Sequence, residues 1–347
     1  MRLWTIHLKK WLIGIFFVLS VILPAWFNGS KPKIMILHSY DKNYSWVKDV
    51  NIGLHRVLDD HRECAITWYY LDTKRHPWPE FKTNAGTSIR RMIDVAPPDV
   101  IIAIDDDAQD YVTRHLIDHP TIQIVFAGVN NQPADYGFDH ARNVTGILER
   151  LPMAALRETL LLIAQHNAMR QPLAIRFIGD LSETVLGDEK NFRAHDMAPI
   201  RVLDSRLVDT FDAWQQAVRE SAGQANFLIT SNYRKIRRSA TGQELVPAQE
   251  LIDWTERHAT MPLIGTNGFF AEDGGMLAIG TSPFEQGEVA ARLALTLIGS
   301  NKPPQPPPMR ATEQFVVAMR APLVLARHLT LPRVYEAAAR SINKYYE

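Results

Sequence analysis

The stretch PDVIIAIDDDAQDYVTRHLID, residues 98–118, holds the pattern that decides the fold. Its apolar run, Val100–Ile104, lies between a proline pair and three aspartates, as expected of a strand buried on both faces. A helix candidate follows over 108–118. Asp105, Asp106 and Asp107 at the junction admit three readings: a metal site, a catalytic carboxylate cluster, or the polar edge of a loop. Calcium loops need oxygen ligands spaced along the chain, whereas three adjacent side chains splay apart. Asp106 or Asp107, at the helix start, is also a favoured N-cap.

Working outward, the same alternation recurs. Strand candidates at 33–39, 64–72 and 121–130 alternate with helix candidates at 46–60 and 81–94. After a polar, Gly- and Pro-bearing pause at 131–152, a second series runs to 282. It has helices at 153–166, 182–195, 210–221 and 246–259, and strands at 172–180, 199–205, 225–232, 261–267 and 274–282. A helix at 284–300, a proline-rich segment at 301–308, a strand at 314–320 and a closing helix at 323–343 complete the chain. Strand–helix alternation with short connections predicts an α/β protein of two blocks, each a parallel sheet flanked by helices.

The chain has 347 residues, 46% of them hydrophobic, with 38 basic and 38 acidic side chains. A net charge of zero lacks the electrostatic footprint of a general nucleic-acid binder. The single cysteine, Cys64, excludes an internal disulfide and a multi-cysteine zinc site; in its apolar surroundings it is expected to be a small buried residue. Residues 1–30 differ from the rest: a basic MRLWTIHLKK precedes the uncharged run WLIGIFFVLSVILPAWF. Basic before apolar is the pattern of an export signal or signal anchor with its N-terminus inside. The remainder is therefore expected in the periplasm, touching the membrane only through this segment.

No G-x-S-x-G elbow, phosphate-binding G-x-x-x-x-G-K-[ST] loop, H-E-x-x-H zinc helix or G-x-G-x-x-G fingerprint occurs. His115 and His119 are four apart, but Pro120 follows at once and ends the helix, so a helix-end histidine is expected there and not a metal pair. The basic run RKIRR, 234–238, is expected to be a solvated loop. The expectation is a ligand cleft and not an enzyme, with no catalytic residue, cofactor or metal. In open α/β sheets ligands bind beyond the carboxyl ends of the strands. The loops there nominate Ser39, Tyr40 and Trp46, then Asp105 and Asp106, then Phe126, Gly128 and Asn130 in the first block. In the second block they nominate Asp180, Ser231, Asn232 and Asn267. Of the three aspartates, Asp106 is expected to face the cleft.

Six segments, ILHSYDKNYSW (36–46), YYLDTKR (69–75), IIAIDDDAQDYV (101–112), IVFAGVNN (124–131), NVTGILE (143–149) and TSPFEQGEVAARLALTLIGSNKP (281–303), together resemble a family of ABC-transporter-type substrate-binding proteins. The resemblance covers roughly 33–320. It implies a type I periplasmic-binding-protein fold, two Rossmann-like lobes joined by a three-segment hinge and closing on a small molecule. Lobe one would comprise 31–130 with about 276–300 and 321–347, and lobe two 145–270. The crossovers would lie at 128–147, 265–280 and 301–314. The implied function is capture of a small polar molecule and delivery to an ABC permease. The alternative is a ligand sensor that signals through a separate membrane kinase or cyclic-dinucleotide enzyme. A hydrolase using the cleft carboxylates is the third and least supported reading.

Overall fold

The computed structural model describes residues 2–298 and 305–347. Helix α1 (Arg2–Gly29) leads into β1 (Lys33–His38), α2 (Ser45–Leu58), β2 (Ala65–Tyr70), α3 (Pro79–Val95), β3 (Val100–Ile104), α4 (Asp106–Tyr111), β4 (Gln123–Val129) and β5 (Val144–Leu148). The second series is α5 (Met153–His166), β6 (Ala174–Gly179), α6 (Glu183–Ala194), β7 (Arg201–Val202), β8 (Arg206–Leu207), α7 (Phe211–Ser221), β9 (Phe227–Thr230), α8 (Ala248–His258), β10 (Leu263–Gly265), α9 (Phe269–Glu272) and β11 (Leu277–Thr281). Then come α10 (Pro283–Ile298), β12 (Arg310–Ala311), β13 (Phe315–Arg320), α11 (Ala321–Ala326), α12 (Arg333–Ser341) and β14 (Tyr345–Tyr346).

The strands form two sheets. The first is ordered β12-β5-β4-β3-β1-β2 and is parallel throughout. The second is ordered β14-β13-β11-β10-β9-β6-β7, with β8 also pairing β6; there β13 runs antiparallel to β11. Each sheet is buried on both faces. Along β1, Ile34 and Ile36 pack with Val50 and Leu54 of α2 and Ala290 and Ala294 of α10. The intervening Met35 and Leu37 pack with Ile89 and Ile93 of α3. This two-residue alternation between two apolar faces is what makes the strand a continuous hydrophobic run in sequence.

The sheets correct the expected lobe boundaries. The C-terminal segment 321–347 belongs to the second lobe, because β13 pairs with β11 and β14 with β13. Residues 276–281 also lie there, as β11 pairs with β10, and β5 completes the first sheet instead of serving as a crossover. The chain changes lobes at 149–152, at Ser282 and at 312–314. Part of the proline-rich segment, 301–304, lies outside the described residues. Two helices are shorter than the pattern predicts. Helix α4 stops before the β-branched pair Val112–Thr113 and gives way to a 3-10 turn, Thr113–Leu116. The closing helix is broken into α11 and α12 by His328, at φ 54°, and Pro332.

The three connections meet around the start of α10. Glu285 accepts the N–H groups of Glu313 and Gln314, and the Gln286 amide takes the Gly128 N–H at 2.8 Å and donates to Thr312 Oγ1 at 2.9 Å. The Thr281 hydroxyl donates to the Arg150 carbonyl at 3.3 Å. The same helix crosses α2 at two glycines. A Cβ on Gly53 would stand 2.1 Å from the Phe284 carbonyl oxygen, and one on Gly287 would stand 2.2 Å from that of Val50. Helix α1 stands apart, with Trp11 and Trp26 about 70% exposed (71% and 70%). Among the described residues no helix is long and apolar enough to cross a membrane.

On an open helix surface Gly→Ala is stabilising by about 1 kcal/mol; at this crossing it forces the helices apart. Gly53→Ala is expected to lose about 3 kcal/mol in urea unfolding, and a neutral or stabilising result would show that the helices do not meet at backbone distance. His38 supplies a second expectation. It is fully buried, stacked on Tyr70 with ring centroids 5.2 Å apart, and burial lowers its pKa to about 3. Below pH 6.5 the unfolded chain binds a proton that the folded chain refuses, so stability falls with pH from 6.5 toward 3, by up to about 1.4 kcal/mol per unit. Stability profiles of the wild type and His38→Phe should diverge over that window and run parallel above it.

Candidate functional site

The carboxyl ends of both sheets face one cavity of about 160 Å³. That is room for about ten water-sized spheres, the scale of a small metabolite. Lobe one contributes Tyr40 and Tyr44 from the loop after β1, Thr73, Lys74 and Pro77 from the loop after β2, Lys82 of α3, Asp106 and Asp107 of α4, and Asn131 after β4. Lobe two contributes Ser182, Glu183 and Thr184 at the start of α6, and Asn232, Arg234, Lys235 and Leu245.

Of the nominated residues, Tyr40, Asp106 and Asn232 lie on this wall. The others stand behind it and shape it. Ser39 donates to the Ile104 carbonyl and accepts the Ala108 N–H, both at 2.8 Å. It thereby caps α4, the role the sequence pattern gives to an aspartate. Asp105 is the N-cap residue but makes no side-chain cap. Its carboxylate instead accepts the Trp46 indole N–H at 2.9 Å, which removes Trp46 from the cleft as well. Phe126 is core, stacked on Phe138. Gly128, at φ 66°, leaves no space for a Cβ, which would meet Asp105 Oδ1 at 2.9 Å. Asn130 contacts Asp106 and Glu149 at 3.4 and 3.3 Å. Asp180 takes the N–H groups of Ser182 and Lys235, at 2.8 and 3.0 Å, and so holds both cleft loops of lobe two. Asn267 ties down the Ser231 carbonyl at 3.0 Å, and Ser231 itself is buried.

The aspartate triplet thus divides into three environments. Asp106 accepts from the Tyr136 hydroxyl at 2.6 Å and from the N–H groups of Asn130 and Asn131 at 3.2 Å. Asp107 is paired with Lys82 at 2.9 Å. Asp105, 3% exposed, is pushed well above the usual carboxylate range by burial. Its backbone, at φ 66° and ψ 167°, lies in a region suited to glycine, at a cost of about 1–3 kcal/mol. Three bonds hold it there: the Trp46 contact, its own N–H to the Ala127 carbonyl at 2.8 Å, and the Gln109 amide donating to its carbonyl at 3.1 Å.

Further carboxylates stand behind the wall. Burial pushes Asp188 up to about 7 and raises Glu149 well above its ordinary value, with Asp188 itself adding to the rise. Arg150 does not form an ion pair with them; its guanidinium donates to the carbonyls of Val129, Asn130, Glu149 and Asn131. No group of three or more His, Cys, Asp or Glu among the described residues has the geometry of a metal site.

Several lining residues fall outside the nominated set. In DTKR, Lys74 faces the cavity while Arg75 turns outward to Asp72 and Asp41. Within RKIRR, Arg234 pairs with Asp273, Arg237 with Asp209, and Arg238 with Glu244 and Glu250, leaving Lys235 on the cleft. Arg234 also spans the lobes, 4.3 Å from the Phe269 ring and 5.6 Å from the Tyr44 ring. Lys344 makes a second bridge, to Asp49 of α2 at 2.8 Å and Glu272 of α9 at 2.6 Å.

Because burial raises the Asp105 pKa and so favours its neutral form, Asp105→Asn should preserve the indole contact and change stability little. Asp105→Ala strands the buried Trp46 N–H and should lose about 1–3 kcal/mol. Equal losses for the two variants in chemical denaturation would mean that Asp105 is held as a carboxylate.

No protein-family model matches the chain, and no curated protein matches its sequence. Solved structures do match. A conserved domain protein from Vibrio cholerae aligns at TM-score 0.64 and 13% identity, over 92% of this chain and all of that one. The ABC domain from Streptococcus pneumonia in complex with L-Trp aligns at 0.63 and 13%, over 89% and 98% of the two chains. A ligand-free, open substrate-binding protein with adhesive properties from Clostridium difficile aligns at 0.65 and 14%, over 87% and 96%. With two sheets, three interlobe connections and a cavity at the carboxyl strand ends, the chain has the type I periplasmic-binding-protein fold.

Proposed function

We propose that the protein captures a small polar molecule between its two lobes, outside the cytoplasm, and delivers it to an ABC permease. The observation that carries this reading is the cavity itself. It is walled by loops from both sheets, so an occupant contacts both lobes at once and favours their approach. The likeness to substrate-binding proteins supports it, as does the basic-then-apolar segment at 1–30, which reads as an export signal. This is a binding role with no chemical step.

One observation favours the sensing alternative. Helix α1 runs unbroken to Gly29, four residues before β1 begins at Lys33. If 1–30 stays attached, lobe one is tethered closely to the membrane, as suits a protein that reports occupancy to a membrane kinase or cyclic-dinucleotide enzyme.

A thermal-shift screen against small metabolites tests the shared core of both readings. A ligand at about 100 times its Kd should add about 2.7 kcal/mol of stability, a rise of several degrees in Tm. Binding that survives Asn232→Ala and Thr73→Ala unchanged would place the ligand elsewhere.

A further inference from the structure

Resting on the capture reading, we propose that the molecule held in the interlobe cavity carries an anionic group, a carboxylate or phosphate, bound by Lys74 with Lys235 across the cleft. Most charges on the wall are already satisfied. Lys82 pairs with Asp107, Arg234 makes a bidentate pair with Asp273, and the Asp106 oxygens accept from two backbone N–H groups and the Tyr136 hydroxyl. Among the described residues this leaves Lys74, Lys235, Glu183 and Asp106 as wall charges without an ion-pair partner, and of these Asp106 already has its oxygens taken up by hydrogen bonds.

Lys74 is the informative member. Its ammonium is half-buried, 4.5 Å from the Tyr40 ring and 4.8 Å from the Tyr44 ring, and its one hydrogen bond is to the Tyr44 hydroxyl at 3.2 Å. An ammonium has three donors, and partial burial without a carboxylate is unfavourable; the tyrosine faces offset this only in part. Asp105, whose charge Lys74 feels, spends Oδ1 on the Trp46 indole and forms no ion pair with Lys74. The donors left over face a cavity whose opposite wall carries Lys235 and the first turn of α6. The Ser182 hydroxyl is spent on Asp180 and makes no cap on α6, so that turn adds positive potential. Glu183 on the same turn opposes it but is exposed, at the rim. The donors still free on the wall are those of Lys74, beside two tyrosine rings, and of Lys235, and they select an anion of metabolite size.

The test uses the full-length protein in mild detergent and probes that differ only in charge. The pairs are benzoate and benzamide, 4-hydroxyphenylacetate and its amide, ribose 5-phosphate and ribose, and the L-amino acids beside their amides. Putrescine is the cationic control. Tm shifts and calorimetric affinities should be confined to the acid or phosphate members, and which arm responds separates carboxylate from phosphate. Lys74→Met should weaken binding about tenfold or more, with Lys74→Arg retaining part of it and the exposed Lys42→Met none the worse. Lys235→Met, at an exposed site, should also weaken binding while leaving the unliganded Tm unchanged. Equal binding of neutral or cationic members, or an unaltered affinity in both Lys74→Met and Lys235→Met, overturns this assignment and leaves the capture reading intact. Silence in every arm counts against both.

Discussion

The close crossing of α10 over α2 is the constraint on which the rest of the structure depends. Helix α10 is reached only after the whole second lobe has been traversed, yet it covers the face of β1, β3 and β4. The backbone-to-backbone approach at Gly53 and Gly287 sets its depth and angle, and its first turn then holds 312–314, the last segment by which the chain passes between lobes, together with the end of β4. The cavity beyond the strand ends therefore inherits its position from two residues without side chains.

The loops at the carboxyl ends of β1, β3 and β4 show how a rigid scaffold divides work among adjacent polar residues. Ser39 spends its hydroxyl on two backbone groups, Asp105 its carboxylate on Trp46, and Asn130 its amide on Asp106 and Glu149. These residues leave Tyr40, Asp106 and Asn131 as the surface a ligand meets. The strained backbone of Asp105 is the price of that arrangement: it turns the chain sharply enough for Asp106 and Asp107 to reach the cleft.

Much of this was legible in the sequence for a physical reason. Strands buried on both faces are continuous apolar runs, and helices between them keep their own period, so the two α/β blocks could be read from Val100–Ile104 outward. Lobe membership of 321–347 was not legible, because strand pairing between distant segments leaves no local trace: nothing in QFVVAMR says that it runs antiparallel to β11. The site was legible only to the level of its loops. Which of Lys74 and Arg75, or of Asp105 and Asp106, faces the cavity depends on backbone dihedrals within a turn. Lys82 reaches the cavity from a helix that carries no motif.

The α10 crossing also bears on how the chain acquires its shape as it is made. With α10 at 283–298, the apolar side of β1, β3 and β4 has only α2 as cover until most of the polypeptide has emerged. Residues 33–148 can form strands early but cannot complete a core alone. The delay leaves part of an apolar sheet face open for most of synthesis.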